Sequence, residues 1–155
     1  MRNVHEWLAE YGETHQHPVN KALHWVCVPL IVLAMLGFLW ATPFPATALA
    51  PRAQLNWATV AILAGVVYYA FLSLPLALGL VPMLALAILA LRWLDSRAMP
   101  LWQICLAVFI FAWIGQFIGH AIERRRPSFL KDLRYLLIGP LWLLSDLYRR
   151  LGLRY

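Results

Sequence analysis

The chain has 155 residues, 63% hydrophobic and only 13% charged, with a formal net charge of +6. A soluble domain carries about a quarter charged residues, and so short a chain has too little interior to hide this much apolar surface. These figures exclude an ordinary water-soluble globule and favour a lipid-embedded chain. They do not favour nucleic acid as a partner, because eight of the thirteen Lys and Arg residues follow the last long apolar run, from Arg124 to Arg154. Flanking charge at an anionic membrane surface explains that placement.

In chain order, Val4, Trp7, Leu8 and Tyr11 fall on one stripe and predict a short amphipathic helix, which Gly12 is expected to break. The first 22 residues carry three glutamates and three histidines, unlike a signal peptide, and are expected to belong to the mature protein. Pro18 suits the first turn of a helix. That helix runs into an apolar span at about 23–41, with a kink expected at Pro29. Pro43, Pro45 and Pro51 mark a loop over 42–56. The apolar stretch from Trp57 to Leu94 is too long for one crossing and fits two, at about 57–72 and 76–93, with a turn near Ser73–Pro75. A charged loop follows, and a fourth span covers about 101–122. Trp40, Trp57, Trp93 and Trp102 stand near span ends, where indole rings favour the interface.

The segment at about 130–150 is too short to cross. Leu133, Leu136, Leu137, Leu141, Leu144 and Leu147 share a face there, which predicts an interfacial or re-entrant helix. Cys27 and Cys105 lie within apolar runs, lack metal-ligand spacing and read as small buried hydrophobes without a disulfide. The expected fold is therefore all-α, a single membrane domain of about four transmembrane helices. With four spans, ten of the thirteen basic residues fall on the side of both termini. The positive-inside rule places that side in the cytoplasm, which for a bacterium makes the membrane the inner one.

None of the five histidines lies in the centre of a span. His24 opens the first span and His120 closes the fourth, so both fall at the cytoplasmic face, with His15 and His17 just before the first span. His17, Asn20 and His24 follow helical spacing, as do Gln116, His120 and Glu123. A polar stripe entering an apolar helix is costly unless its groups are paired or ligated. Bundles build metal sites from such inward side chains on facing helices, and imidazoles with a carboxylate suit Fe(II), Zn(II) or Cu(II). The bland reading stands beside it: a histidine at a span end also sits there with its polar edge wet, and Glu123 beside Arg124–Arg126 reads as a local ion pair. His5 receives no role. Other function classes are a b-type haem protein with His24 and His120 as axial ligands, a transporter using the polar stripe, and a structural membrane protein without catalysis.

The segment Tyr11-Gly-Glu-Thr-His-Gln-His-Pro-Val-Asn-Lys-Ala-Leu-His24, together with Gln116-Phe-Ile-Gly-His-Ala-Ile-Glu123 and the following Arg126-Pro127, resembles the Mpo1-like membrane family. The resemblance extends from about Tyr11 to Leu144. It implies an Fe(II)-dependent dioxygenase that shortens 2-hydroxy fatty acids by one carbon, with O2 as co-substrate. By the same resemblance His15, His24 and His120 are the expected iron ligands. Asn20 and Glu123 match polar motif positions, as ligands or as supports of the ligands. His17 departs from the Asn of many relatives and is either a fourth ligand or a bystander. Lys21, Gln116, Arg124 and Arg126 are the residues expected to meet the substrate, whose acyl tail would lie among the apolar helices.

Overall fold

The computed structural model describes residues 3–45, 55–127 and 134–155. Those residues form six helices and no strand: α1 (Val4–Glu13), α2 (Pro18–Ala41), α3 (Trp57–Leu72), α4 (Leu74–Asp95), α5 (Leu101–Glu123) and α6 (Tyr135–Arg150). Three of them, α2, α4 and α5, are long and apolar enough to cross a membrane. The fourth apolar helix, α3, has only 16 residues, or about 24 Å against a hydrocarbon core of about 30 Å. Part of the loop at 42–56 and the start of the segment at 130–150, with Leu133, lie outside the described residues.

Local chemistry sets most of the boundaries. Asn56 caps α3 through a reciprocal pair of bonds with Thr59. Ser73 alone separates α3 from α4. Its backbone is extended, and its hydroxyl accepts from the Leu76 N–H, while Pro75 occupies the first turn, where a missing N–H costs nothing. The turn expected over Ser73–Pro75 is thus a single residue. Pro29, Pro82 and Pro140 all lie inside helices.

One sequence expectation is corrected, and one is refined. Gly12 does not end α1, which continues to Glu13. A Cβ on Gly12 would come within 3.3 Å of the Trp142 indole nitrogen, so the glycine permits close packing of α1 on α6. In α6 the leucine stripe is divided: Leu141 and Leu144 are buried, whereas Leu136 and Leu137 are 44% and 47% exposed. The buried face is Tyr135, Ile138, Leu141, Trp142 and Ser145. Counting leucines therefore does not tell the inward side of α6 from the outward one.

The core has two parts. At the end carrying the chain termini, α1 and α6 pack with Tyr69 of α3 and with Leu76, Ala77 and Leu80 of α4. At the other end Ala34, Leu36, Ala58, Leu91, Leu101 and Cys105 pack together. Cys27 and Cys105 are free and buried. The most extensive pairing is α2 with α5, which run antiparallel with small residues along their seam. A Cβ on Gly37 would strike Cys105 Sγ, one on Gly115 would come within 2.6 Å of Cys27 Sγ, and one on Gly119 would strike Asn20 Oδ1. Such small-residue seams let membrane helices approach closely. Gly37→Leu is expected to lower the thermal unfolding midpoint in detergent, at a cost of about 1–3 kcal/mol from overpacking. Gly65→Ala is the matched control: nothing lies within 4 Å of the added carbon, and it should unfold like wild type.

Candidate metal centre

The close α2–α5 seam carries His24 and His120 to one level, and the connection between α1 and α2 brings His15 against both. All three rings are buried. Their centroids are 4.2 Å apart for His15 and His24, 5.0 Å for His15 and His120, and 5.1 Å for His24 and His120. One ring nitrogen from each lies within 4.8 Å of the others.

Hydrogen bonds fix two of the tautomers. His15 Nδ1 lies 2.6 Å from the Tyr11 carbonyl oxygen, and His24 Nδ1 lies 2.9 Å from the Asn20 carbonyl oxygen. A carbonyl only accepts, so both Nδ1 atoms carry the hydrogen. In the neutral rings both Nε2 atoms are then bare lone pairs, and they face each other at 2.8 Å. Neutral lone pairs at that distance repel unless a cation lies between or beside them. A proton is disfavoured, because burial holds the His15 pKa down at about 4. A metal ion satisfies both. Nitrogens 2.8 Å apart fit adjacent positions on an ion with bonds of about 2.1 Å. His120 adds a buried Nδ1 with no hydrogen-bond partner among the described residues. This donor set fits a first-row transition metal that accepts imidazole. It does not suit haem held between His24 and His120, because His15 touches both rings where a macrocycle would need a clear slot.

Glu123 reaches back from the end of α5 to the α1–α2 connection. Its Oε1 accepts from the Gln16 N–H at 2.9 Å, and its Oε2 from the His17 N–H at 2.8 Å and from Asn20 Nδ2 at 3.1 Å. Asn20 Nδ2 also donates to the Thr14 carbonyl. Glu123 and Asn20 therefore hold the backbone on either side of His15 and the turn that orients His24. Such supporting partners set ring orientation in metal sites. Glu123→Gln replaces one acceptor oxygen with an amide that faces an N–H. We expect it to lower stability by about 1–2 kcal/mol and metal affinity by about 10–100-fold, measured by thermal unfolding and metal titration.

The remaining candidates are dispersed. His17 is exposed. It is the N-cap of α2, its Nδ1 accepting from the Val19 N–H, and it is not among the three converging rings. Gln116 is buried one turn before His120, and its Nε2 has no partner among the described residues. Arg124, Arg125 and Arg126 line a shallow cleft of about 340 Å³ with Phe117, His120, Ala121 and Pro127. Lys21 instead lines a groove between α2 and α6, with Trp25, Leu147 and Arg150. His5 stacks near Tyr155.

Several residues escaped the sequence reading. Tyr11 stacks on His15 at 4.2 Å and 8°, and Trp142 packs on the other residues of this wall at 5.2 Å from His15. Gly119 supplies the close approach to Asn20, and its spacing from Gly115 as Gly-x-x-x-Gly is the signal that marks it.

A family model described as 2-hydroxy-palmitic acid dioxygenase Mpo1-like matches residues 1–151. The chain is similar to the 2-hydroxy-palmitic acid dioxygenase MPO1 of Saccharomyces cerevisiae, 27% identical over 158 aligned residues that take in 98% of this chain and 83% of the yeast protein. No solved structure matches it. The family match covers nearly the whole chain, including all three converging histidines, and this all-helical protein belongs to the Mpo1-like family.

Proposed function

We propose that the protein is an Fe(II)-dependent dioxygenase that shortens 2-hydroxy fatty acids by one carbon at the membrane surface. The observation that carries this reading is the pair of bare, buried Nε2 atoms of His15 and His24, with His120 beside them. The name and similarity of the yeast relative support the substrate class. The reaction balances without an added reductant: R–CH(OH)–COOH and O2 give R–COOH, CO2 and H2O. The C1–C2 bond breaks, and the electrons leaving the substrate carbons reduce O2.

His15, His24 and His120 would hold the iron, which supplies the redox centre at which O2 is reduced. The chain's own groups do the rest. Tyr11 and Asn20 carbonyls keep the first two rings in the ligand tautomer. Burial of all three rings excludes bulk water from the ligand side. Asn20 and Glu123 act through the ligands, as positioning residues. Arg124 and Arg126, with Arg125, hold the substrate carboxylate in the cleft that His120 borders. Gln116 is the donor available one turn deeper. We place the centre at the cytoplasmic face with both termini, on the distribution of basic residues.

The test is elemental analysis of the purified protein, then anaerobic loading with Fe(II) and exposure to O2 with a 2-hydroxy fatty acid. The expected products are the acid one carbon shorter and CO2 in equal amounts, with no turnover of the acid lacking the 2-hydroxyl. A loaded protein that consumes O2 without that stoichiometry would refute the reading.

A further inference from the structure

The cleft at His120 opens sideways rather than into the bundle. Two of its walls, Phe117 and Ala121, belong to the outward face of α5 and are exposed, Phe117 by 53%. The same face continues away from the cleft through Ile114 and Ile110, exposed by 53% and 50%. Positions 110, 114, 117 and 121 recur at helical spacing, so they form one apolar stripe. It runs about 16 Å along the helix axis. On its inward side α5 packs chiefly on α2, and the stripe points away from that seam. At its far end stand the three arginines, exposed and past the end of the helix. Cations at the surface end of a lipid-facing stripe match an amphiphile with an anionic head and an apolar tail.

We propose that the substrate's acyl chain stays in the bilayer, lying along the Ile110–Ile114–Phe117–Ala121 stripe, while its carboxylate is held at Arg124–Arg126 and its second carbon is presented beside His120. This deepens the dioxygenase reading and rests on it. It moves the tail from among the helices to the outside of α5. It also gives the site a selectivity rule. Head-group chemistry is read by protein, but tail length is not, because methylenes that remain in lipid gain no protein pocket. An enclosed pocket, by contrast, rewards or rejects a methylene by about tenfold or more.

Two measurements on the full-length protein in lipid bilayers decide the matter. In the first, the Fe(II)-loaded protein is given 2-hydroxy acids of increasing chain length at equal mole fraction in the lipid. The expected kcat/KM, expressed per mole fraction, is flat within about twofold, since tails in lipid change environment little on binding. A sharp optimum in length overturns the proposal and leaves the dioxygenase reading intact. Absence of turnover with every 2-hydroxy acid strikes the dioxygenase reading instead. The second measurement needs no turnover: a 2-hydroxy acid with a photoreactive group in its tail is cross-linked to the protein and the peptides are mapped. Label on the Ile110–Phe117 stripe, displaced by unlabelled 2-hydroxy acid and reduced in Arg125→Ala, is the expected result. Label on inward residues such as Leu80 or Leu91, or label that the competitor does not displace, overturns the proposal.

Discussion

His15→Ala, His24→Ala and His120→Ala are each expected to lose bound metal and turnover while the chain still inserts into the membrane. Each ring gives one nitrogen to a set in which all three lie within 4.8 Å of one another, and no fourth histidine joins them among the described residues: His17 caps α2 and is exposed. The sharpest readout is not activity but thermal stability with and without metal. A ligand bound only by the folded state adds about 2.7 kcal/mol when present at a hundred times its dissociation constant. Wild type should show that gain on anaerobic addition of Fe(II), and the alanine variants should show none. In the metal-free protein His15→Ala removes one of two opposed lone pairs but also a buried ring stacked on Tyr11, so the comparison is made with and without metal within each variant. His17→Asn is the control, because Asn is a good N-cap; it should keep both the metal and the fold. Retention of the Fe(II)-induced gain by His24→Ala would sink the assignment.

Gly119→Leu is the substitution expected to do most damage without touching a ligand. Even a single added carbon meets Asn20 Oδ1. Asn20 cannot yield freely, because its Nδ2 is held by Glu123 and the Thr14 carbonyl, and its own carbonyl orients His24. Relief therefore requires α2 and α5 to part, or Asn20 to abandon these bonds. We expect a stability loss of about 1–3 kcal/mol from overpacking and a drop in metal affinity of about 10–100-fold. Equilibrium metal titration and thermal unfolding read the two effects separately. Wild-type values for both would show that the seam does not set the ring positions.

The all-helical, lipid-embedded character was legible because it rests on composition and on apolar runs of membrane length, which bilayer thickness dictates. The short apolar helix at 57–72 and the break at Ser73 were also legible, since Pro75 and a lone Ser between two apolar runs leave few alternatives. The convergence of His15, His24 and His120 followed from placing span ends at one membrane face. What sequence could not supply was orientation about each helix axis. An apolar side chain is accommodated by lipid as well as by a core, so the leucines of α6 did not show that Leu141 and Leu144 pack inward while Leu136 and Leu137 are exposed. Glu123 read equally well as a partner of Arg124–Arg126 and as a support for the centre, because its three donors include two backbone amides that leave no trace in residue type. Gly12 looked like a helix breaker because a glycine's local propensity is visible while its neighbour Trp142, far along the chain, is not.

The clamp between Glu123 and the α1–α2 connection joins groups separated by more than a hundred positions. His15 and His24 emerge early in synthesis, whereas His120 and Glu123 arrive only with the last crossing. The three rings and the clamp that holds their backbone can therefore come together only once α5 has been made, late in synthesis.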